Sequence, residues 1–334
     1  MVSDAVYVGV DIGAAKVEML WRRGGRSSSV CAFDQDPQGH AKLISELKRL
    51  RPRLIVLEAT GIYYLDLALA LVAAGLPVAV INPKSFHHFA KLKLTRSKTD
   101  GIDASLLAEY GERMAPPLWK APAPTHVTLR DIGRQINRLT HARTQAKNRL
   151  HALCAKRDTL PLLIEDERQG IELLDRRIER LTQAARELLV EVPELQAKAQ
   201  HMLSAKGIGE ASAIALLAEL CVLPPHLKAN QVSRHAGLDV RLWQSGTSVE
   251  KPGRLSKHGN AYLRAGLYMP VLSAVRHDPY ARAFYEALLA RGKKKLQAHC
   301  AVMRKYLTGL WACIQLGQDF DSSKLFSDIH LAKA

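Results

Sequence analysis

Four acidic residues in the first third of the chain have the types and spacing of a metal-binding carboxylate set. Asp11 and Glu58 each end a short apolar run, and Asp100 and Asp103 are three residues apart in a stretch with helical character. Residues three apart lie on one helix face. Converging carboxylates need cations between them, and Mg²⁺ is the oxygen-seeking ion that fits, with Mn²⁺ as a substitute. The acids therefore predict a magnesium site for phosphate chemistry, although each acid alone also suits a helix cap or a turn.

A second candidate for chemistry is the polar segment at residues 243–248, which places hydroxyl side chains around a glycine and is followed by basic residues. A serine is a weak nucleophile unless a base or a cationic surround activates it. From the residues alone, the segment is a polar turn that holds phosphates. Spacing does not separate Ser245 from Ser248 as a nucleophile.

Strand and helix patterns alternate over the first 115 residues, which contain the four acids. The expected strands are Val6 to Ile12, Val17 to Trp21, Ser28 to Phe33, Leu54 to Leu57 and Val78 to Ile81. Helical spacing covers Pro37 to Leu50 and residues 63–74. This pattern predicts a mixed α/β sheet whose first three strands form a meander and whose faces are covered by helices.

A proline-rich linker at residues 116–125 precedes a change to helical periodicity. Apolar residues step by three and four over residues 129–153, with Arg143 as one charged exception, and again over residues 164–188. Two such stretches predict an antiparallel coiled-coil hairpin over residues 126–195. Two helices of an ordinary bundle are the alternative.

Residues 196–320 form the last predicted domain, followed by a tail at residues 321–334. An apolar helix end, the turn Gly207-Ile-Gly209 and a second apolar helix give the pattern of a helix-hairpin-helix. Such a turn presents backbone N–H groups to a phosphate, although the same turn can serve packing alone. The chain from Gln318 onward is polar and is expected to be frayed.

The charge balance points to a polyanionic partner. The 334 residues carry 48 Lys and Arg against 32 Asp and Glu, a net charge of +16, which an enzyme of small metabolites does not need. Nucleic acid is the first expectation and an anionic membrane the second. Residues 250–305 alone hold twelve basic and three acidic residues. The candidate nucleic-acid contacts are Lys84, Lys91, Lys93, Arg96, Lys98, Gly207, Gly209, Lys251, Arg254, Lys257, Arg264, Lys293, Lys294 and Lys295.

Cysteine usage and the N-terminus bear on the compartment. Five cysteines occur without a CxxC pair, and the first residues lack a signal-peptide pattern. The apolar run at residues 63–81 contains Asp66 and is broken by Gly75 and Pro77, which favours a helix and a strand over a membrane span. A cytoplasmic protein with reduced thiols and no membrane partner is expected.

The first strand also admits a different enzyme class. The segment from Gly9 to Lys16 resembles the phosphate loop of actin-like sugar kinases. Such a kinase needs a second Asp-Gly phosphate loop and a glycine-rich adenosine site, and the sequence has neither. A sugar substrate also gives no reason for the positive charge.

Short motifs run in order through nearly the whole chain. They are Gly9-Val-Asp11, Glu58-Ala-Thr-Gly61, Ile81-Asn-Pro83, Lys98-Thr-Asp100-x-x-Asp103-Ala104, Gly207-Ile-Gly209, Ala236-Gly-Leu238, Ser245-Gly-x-Ser248 and Leu263-Arg-x-x-Leu-Tyr-Met-Pro270. Together these motifs resemble those of the insertion-sequence-110 family of transposases, which includes the Piv-type site-specific DNA invertases.

The resemblance implies a RuvC-like N-terminal domain of the ribonuclease-H type over residues 1–115. Its DEDD tetrad, which binds Mg²⁺, maps to Asp11, Glu58, Asp100 and Asp103. The resemblance also implies a coiled-coil hairpin for assembly and a mainly helical C-terminal transposase domain whose nucleophilic serine is Ser245. Family members use a structured noncoding bridge RNA to specify donor and target duplex DNA. They act as dimers that assemble into tetramers, in which the tetrad of one subunit can meet the serine of another, at the bacterial nucleoid.

The leading hypothesis is therefore RNA-guided DNA recombination through a 5′-phosphoserine intermediate. One alternative is a metal-dependent nuclease that resolves Holliday junctions, in which Ser245 is structural. Others are a Piv-like DNA invertase and a catalytically silent protein that coats or bridges nucleic acid.

Overall fold

The computed structural model describes residues 4–93, 100–245 and 249–326. The chain divides into two compact units, Met1–Ala121 and Pro122–Ala334. The first unit has a mixed sheet with helices on both faces, and the second unit is mainly helical. The sequence predicted both architectures.

A mixed sheet forms the centre of the first unit. Its strands are β1 (Val6–Ile12), β2 (Lys16–Arg23), β3 (Arg26–Ser27), β4 (Cys31–Asp34), β5 (Leu54–Glu58) and β6 (Val78–Ile81). The order across the sheet is β3-β2-β1-β5-β6, and β4 pairs with the other half of β2. β1 is antiparallel to β2 but parallel to β5, and β5 is parallel to β6. The predicted mixed sheet is confirmed.

Helices cover both faces of this sheet. They are α1 (Pro37–Leu50), α2 (Tyr64–Ala73), α3 (Pro83–Leu92) and α4 (Asp100–Met114). Leu43 of α1 and Leu67 of α2 belong to the core on one face. Phe86 of α3 and Leu107 of α4 belong to the core on the other face. The sheet therefore lies between two helical layers.

Local sequence explains where two of these helices begin. Pro37 occupies the first turn of α1, where its missing N–H costs nothing, and Asp36 Oδ1 accepts a hydrogen bond from Gly39 N at 2.7 Å. Asn82 caps α3 in the same way, accepting from Lys84 N at 2.9 Å. Each helix thus begins at a proline that comes directly after its cap residue.

The predicted third strand begins later than expected, although Cys31–Asp34 pairs with β2 as the meander requires. Instead of a single strand over residues 28–33, the chain forms β3, leaves the sheet, and returns as β4. Ser28 interrupts the pairing because its Oγ accepts a hydrogen bond from Trp21 N at 3.1 Å and donates to Ser29 O at 2.8 Å. A serine hydroxyl that bonds to nearby backbone competes with the strand ladder.

The second unit contains the remaining elements. They are α5 (Pro124–Ala155), α6 (Pro161–Glu191), α7 (Pro193–Leu203), α8 (Glu210–Leu220), α9 (Ala229–His235), β7 (Val240–Ser245), β8 (Val249–Leu255), α10 (Ala261–His277), α11 (Pro279–Ala290), α12 (Lys295–Leu316) and α13 (Ser322–Leu325). The antiparallel hairpin of β7 and β8 was not predicted from the sequence.

The two longest helices, α5 and α6, pack against each other. Ala146 of α5 and Ala185 of α6 are buried, and Arg143, the charged exception in the apolar pattern, lies 2.6 Å from Asp175 Oδ1. α5 begins at Pro124, inside the predicted linker. The helices and their pairing agree with the predicted hairpin, and its coiled-coil character stays a prediction.

The C-terminal segment is more ordered than its polar composition indicates. Phe326 is only 2% exposed, and its ring centroid lies 5.4 Å from that of Phe284. Lys305 Nζ donates to Leu325 O at 2.8 Å. The expectation of a frayed chain from Gln318 is therefore wrong up to Phe326, because the aromatic residues spaced through this segment pack on α11 and α12.

Two further properties concern the thiols and the helices. All five cysteines are unpaired thiols, as the odd number and scattered positions predicted. Within the described ranges, no helix combines the length and the apolar character needed to cross a membrane.

Candidate active site

Asp11 and Glu58 lie side by side at one end of the sheet. Val10 of β1 pairs with Leu57 of β5 in the parallel register, so the next residue of each strand is Asp11 and Glu58. Neighbouring strands lie about 4.8 Å apart, and paired residues point to the same face. The parallel pairing of two strands therefore brings together two acids that are 47 positions apart in the chain.

Both acids point toward the face that α4 covers. Gly9 precedes Asp11 by two residues and so lies on the same face of β1. A Cβ atom at Gly9 would lie 2.0 Å from Ala104 O of α4. The absence of a side chain at Gly9 therefore lets the α4 backbone approach the strand that ends in Asp11.

The first turn of α4 lies beside the end of β1 and β2. A Cβ atom at Gly101 would lie 3.6 Å from Glu18 Oε2, and Glu18 pairs with Asp11 across the two strands. Asp103 precedes Ala104, whose carbonyl faces Gly9. The backbone positions of Asp11, Glu58 and Asp103 thus lie at one end of the sheet.

Glu18 is an acid that sequence reasoning missed. It is half-buried and pairs with Asp11 through the antiparallel register of β1 and β2. The hairpin pattern in the sequence would have revealed this neighbour if the register had been counted back from the turn at Gly13 to Ala15. Glu18 adds a fifth carboxylate to this end of the sheet.

The donor chemistry of this group suits a divalent cation. Asp11, Glu58 and Asp103 offer carboxylate oxygens, which Mg²⁺ prefers. The described side chains do not include that of Asp100, and among them no three Asp, Glu, His or Cys side chains are close enough together to hold a metal ion. The backbone therefore brings the tetrad positions together, and the metal site itself stays a prediction.

Ser245 is the last residue of β7 and pairs with Val249, the first residue of β8. It therefore stands where the hairpin turns. Ser248, the other candidate nucleophile, lies outside the described residues, as do Arg96 and Lys98 among the predicted contacts. The side chains of Ser245 and of the predicted contact Lys251 are also outside the described part, so their roles stay predictions.

A polar network anchors the base of this hairpin. Ser256, directly after β8, donates to Asp239 Oδ1, and Arg264 Nη1 donates to Ala236 O at 2.8 Å. Arg264 also donates to Gly259 O at 3.3 Å. The guanidinium of Arg264, a predicted nucleic-acid contact, thus has a structural role in holding the loop before α10.

Most of the other predicted basic contacts are exposed, and one is engaged within the chain. The exposed side chains are Lys84, Lys91, Arg254, Lys257, Lys293, Lys294 and Lys295. Lys93 Nζ instead lies 2.8 Å from Glu109 Oε1, and Arg113 Nε lies 2.6 Å from the same oxygen. Burial alone would raise the pKa of Glu109, but the hydrogen bond from Lys93 and the charges of Lys93 and Arg113 hold that pKa below its ordinary value.

The two glycines of the predicted phosphate-binding turn have different surroundings. Gly207 has a φ of +90°, and a Cβ atom there would lie 2.3 Å from Pro270 O, so packing against α10 requires glycine. Gly209 is exposed, stands at the N-cap of α8, and has no atom within 4 Å of the place for a Cβ atom. Of these two glycines, Gly209 is therefore the one that fits an exposed contact, whereas Gly207 serves packing.

Comparisons with known proteins bear on the family of this chain. A transposase family model of the DEDD type from IS110 elements matches residues 8–156, and a model of the transposase IS116/IS110/IS902 family matches residues 199–286. The pilin gene-inverting protein of Moraxella bovis is 28% identical over 321 residues, which cover 94% of this chain and 97% of that protein. The protein of the same name from Moraxella lacunata is also 28% identical over 321 residues.

Among solved structures, Thermus thermophilus RuvC in complex with a Holliday junction substrate has 15% identity and a TM-score of 0.26. The likeness covers 34% of this chain and 98% of that chain. The two family models, in contrast, together span most of this chain and include Asp11, Glu58, Asp100, Asp103 and Ser245. The protein therefore belongs to the IS110 family of transposases and is an enzyme of DNA transposition or recombination.

Proposed function

We propose that the protein recombines DNA under the guidance of a structured RNA, with Ser245 as the nucleophile and the four acids as the metal-binding group. The observation that carries this proposal is the side-by-side position of Asp11 and Glu58 beneath the first turn of α4. Four carboxylates at one sheet end are costly to bring together unless they hold a cation. In an enzyme that transfers phosphate groups, such a cation would stabilise charge on the reacting phosphate.

In the proposed reaction, Ser245 Oγ attacks a backbone phosphorus of the DNA. A bond forms between Oγ and phosphorus, and the bond from phosphorus to the 3′ oxygen breaks. The serine hydroxyl loses its proton, and the departing oxygen gains one to become a free 3′-OH. The covalent 5′-phosphoserine preserves the energy of the broken phosphodiester, so a 3′-OH from another strand can rejoin the DNA without ATP.

The acids and the basic side chains have separate parts in this reaction. A Mg²⁺ ion held by Asp11, Glu58, Asp100 and Asp103 would neutralise charge on the reacting phosphate, with Mn²⁺ as a substitute. Arg254 lies in β8 and Lys257 follows it, and these two exposed side chains would hold the backbone phosphates of the DNA. Exposed Lys293, Lys294 and Lys295 extend this positive surface.

Two partners belong to the proposal. A guide RNA is the second proposed polyanionic partner, and exposed Lys84 and Lys91 offer contacts to it on the first unit. A dimer that assembles into a tetramer is the proposed active form. Support for assembly comes from the tip of the α5–α6 hairpin, where Leu160, Leu162 and Leu163 are exposed.

Inversion is the second candidate outcome of the same chemistry. Relatives that match 94% of this chain are named as pilin gene-inverting proteins. Cutting and rejoining at two sites in one DNA molecule inverts the segment between them, whereas sites in two molecules lead to insertion. An invertible segment beside the gene would favour the inverting role, and a noncoding segment that folds into two internal loops would favour RNA guidance.

A denaturing gel tests the nucleophile. The protein is incubated with Mg²⁺, DNA fragments from the flanks of its own gene and RNA transcribed from those flanks. We expect protein covalently attached to DNA 5′ ends, absent in Ser245→Ala and retained in Ser248→Ala. Loss in Ser248→Ala alone would move the nucleophile to Ser248. Cleavage without an adduct would favour the nuclease alternative, and binding without cleavage would favour the silent binder.

A second set of variants tests the metal-binding acids. We expect Asp11→Asn to lower strand cleavage roughly 100-fold or more, because it removes a ligand of the ion that stabilises the transition state. Asp66→Asn is the matched control, since Asp66 is exposed in the first turn of α2 on the other face of the sheet. Equal cleavage by Asp11→Asn and Asp66→Asn would refute the role of the acids.

A further inference from the structure

A second positively charged site lies at the end of the first unit's sheet opposite to the acids. It is an open cleft of about 930 Å³, formed by the start of β1, the end of β2, the last turn of α1 and the connection from α1 to β5. We call it the basic cleft. Its charged lining residues are Asp4, Arg23, Lys48, Arg49, Arg51 and Arg53. Five cations thus face one carboxylate.

These cations are available to a ligand. Lys48, Arg51 and Arg53 are exposed, and none has an ion-pair partner among the residues that the structure describes. Arg23 is exposed as well, and its guanidinium carbon lies 5.9 Å from the centre of the Trp21 ring. Only Arg49 is paired, with Glu46 on the same helix. The described residues therefore leave the attraction of the cleft for anions largely uncompensated.

Ordinary helix electrostatics explain only part of this cluster. Lys48 and Arg49 lie in the last turn of α1, where cations complement the helix dipole. Arg23 and Arg53 belong to other elements, so the dipole does not account for them. Arg51 has a φ of +48°, a conformation that favours glycine, yet the position carries a charged side chain. The arrangement gathers charge from several elements into one concave surface.

The chemistry of the lining selects the kind of ligand. Guanidinium groups match phosphate oxygens, often with two hydrogen bonds each. Among the described lining residues, Ser45 is the one uncharged polar side chain, and none of them is an aromatic that could stack on a base. We propose that the basic cleft binds the phosphodiester backbone of a nucleic acid.

The position of the cleft separates it from the acidic site. Val6 begins β1 at the cleft, and Asp11 lies five residues further along the same strand. Five residues of extended strand span about 16 Å. A backbone bound in the basic cleft is therefore held away from the acids, as a guide strand or the flank of a long duplex would be. The inference deepens the proposed function and rests on its nucleic-acid partners, but it needs neither Ser245 nor a metal ion.

Binding measurements with two probes test the proposal. Fluorescence anisotropy of labelled duplex DNA and of a labelled RNA hairpin is followed with the full chain in EDTA, over a range of salt. The test variant is Arg51→Gly/Arg53→Gln, in which glycine suits the backbone at position 51. The control is Lys42→Gln/Lys120→Gln, which removes the same charge from exposed positions of the same unit outside the cleft.

We expect the test variant to bind at least one probe roughly tenfold more weakly. The slope of log affinity against log salt concentration should also fall, by the equivalent of about two phosphate contacts. The control should change far less. If the test variant binds only one probe more weakly, that probe identifies the bound backbone as DNA or as RNA. Weaker binding of both probes means that the cleft binds either backbone. A loss in the test variant no larger than that of the control, for both probes, would overturn the proposal. Because EDTA prevents cleavage, this result does not depend on the outcome of the adduct experiment.

Discussion

Arg134 of α5 donates two hydrogen bonds to Glu219 of α8, from Nε at 2.6 Å and from Nη2 at 2.9 Å. Glu219 is 2% exposed and accepts a third hydrogen bond from Asn260 Nδ2 at 2.6 Å. Asn260 also caps α10, accepting from Tyr262 N at 2.9 Å. One buried carboxylate thus joins the helical hairpin to the start of the helix that follows the serine-bearing strands. The hydrogen bonds that Arg134 donates to the Glu219 carboxylate raise the pKa of Arg134, which keeps it charged.

We expect Glu219→Ala to lower the free energy of unfolding by about 3 kcal/mol, because it leaves the Arg134 charge and the Asn260 amide without their partner. Urea unfolding followed by circular dichroism measures this. Arg149→Ala is the control, since Arg149 pairs with Glu167 in a surface ion pair of the same hairpin and should matter little. Similar stabilities of the two variants would contradict a structural role for the network.

The turn before α8 gives a second prediction. Gly207→Ala should lower the free energy of unfolding by roughly 2–4 kcal/mol, because it combines an unfavourable φ with a collision against Pro270 O. Gly209→Ala should stay within about 1 kcal/mol of wild type, since its φ is −95° and its surroundings are open. Thermal unfolding of both variants checks the contrast. A tolerated Gly207→Ala would show that this glycine is not required for packing.

Glu109 predicts a pH dependence of stability. Its pKa is lowered from about 4.5, so its ionised form stabilises the fold above that pH, and this contribution is lost as the pH falls through the lowered pKa. The stability difference between wild type and Glu109→Gln should therefore be largest near neutral pH and shrink below about pH 4.5. Urea unfolding at several pH values measures it. A difference that stays constant into acid would mean that Lys93 and Arg113 do not stabilise the carboxylate.

The cysteines provide a test of burial. Burial raises the pKa of Cys221 to about 12 and that of Cys313 to about 11, so both thiols are protonated and shielded at neutral pH. Cys31 and Cys154 are exposed. A thiol-alkylating reagent should therefore label Cys31 and Cys154 in the native protein, and Cys221 and Cys313 only after unfolding in urea. Peptide mass spectrometry assigns the labels, and rapid native labelling of Cys221 would contradict this packing.

Several elements were readable from the sequence because local chemistry determines them. Helical spacing predicted α1 over Pro37–Leu50, and the apolar runs predicted β1 and β6, all with the bounds that are observed. Asp11 and Glu58 were expected at strand ends of one sheet, and the parallel register of β1 and β5 makes those strand ends neighbours, while their role in a site stays a prediction. A local pattern was therefore sufficient to predict a strand or helix whose bounds are determined by its own residues.

Long-range relationships were not readable in the same way. Glu219 lies 85 positions from Arg134, and no local pattern marks either as the other's partner. In the sequence, Lys93 and Arg264 look like free surface cations. In the structure, Lys93 pairs with Glu109, and Arg264 donates to two backbone carbonyls. Arg23 and Arg53 join the basic cleft only because β2 and the connection before β5 meet at one end of the sheet. Such pairings depend on tertiary packing, which composition and spacing do not encode.

The covalent step is the central claim, and mass spectrometry of the protein–DNA adduct tests it most directly. The adduct is trimmed with nucleases and digested, and the peptide that contains residues 243–248 is fragmented. We predict the mass of a 5′-linked nucleotide on Ser245, with no such mass after reaction of Ser245→Ala or Asp11→Asn. Cleaved DNA with an unmodified peptide at residues 243–248 would contradict the phosphoserine mechanism.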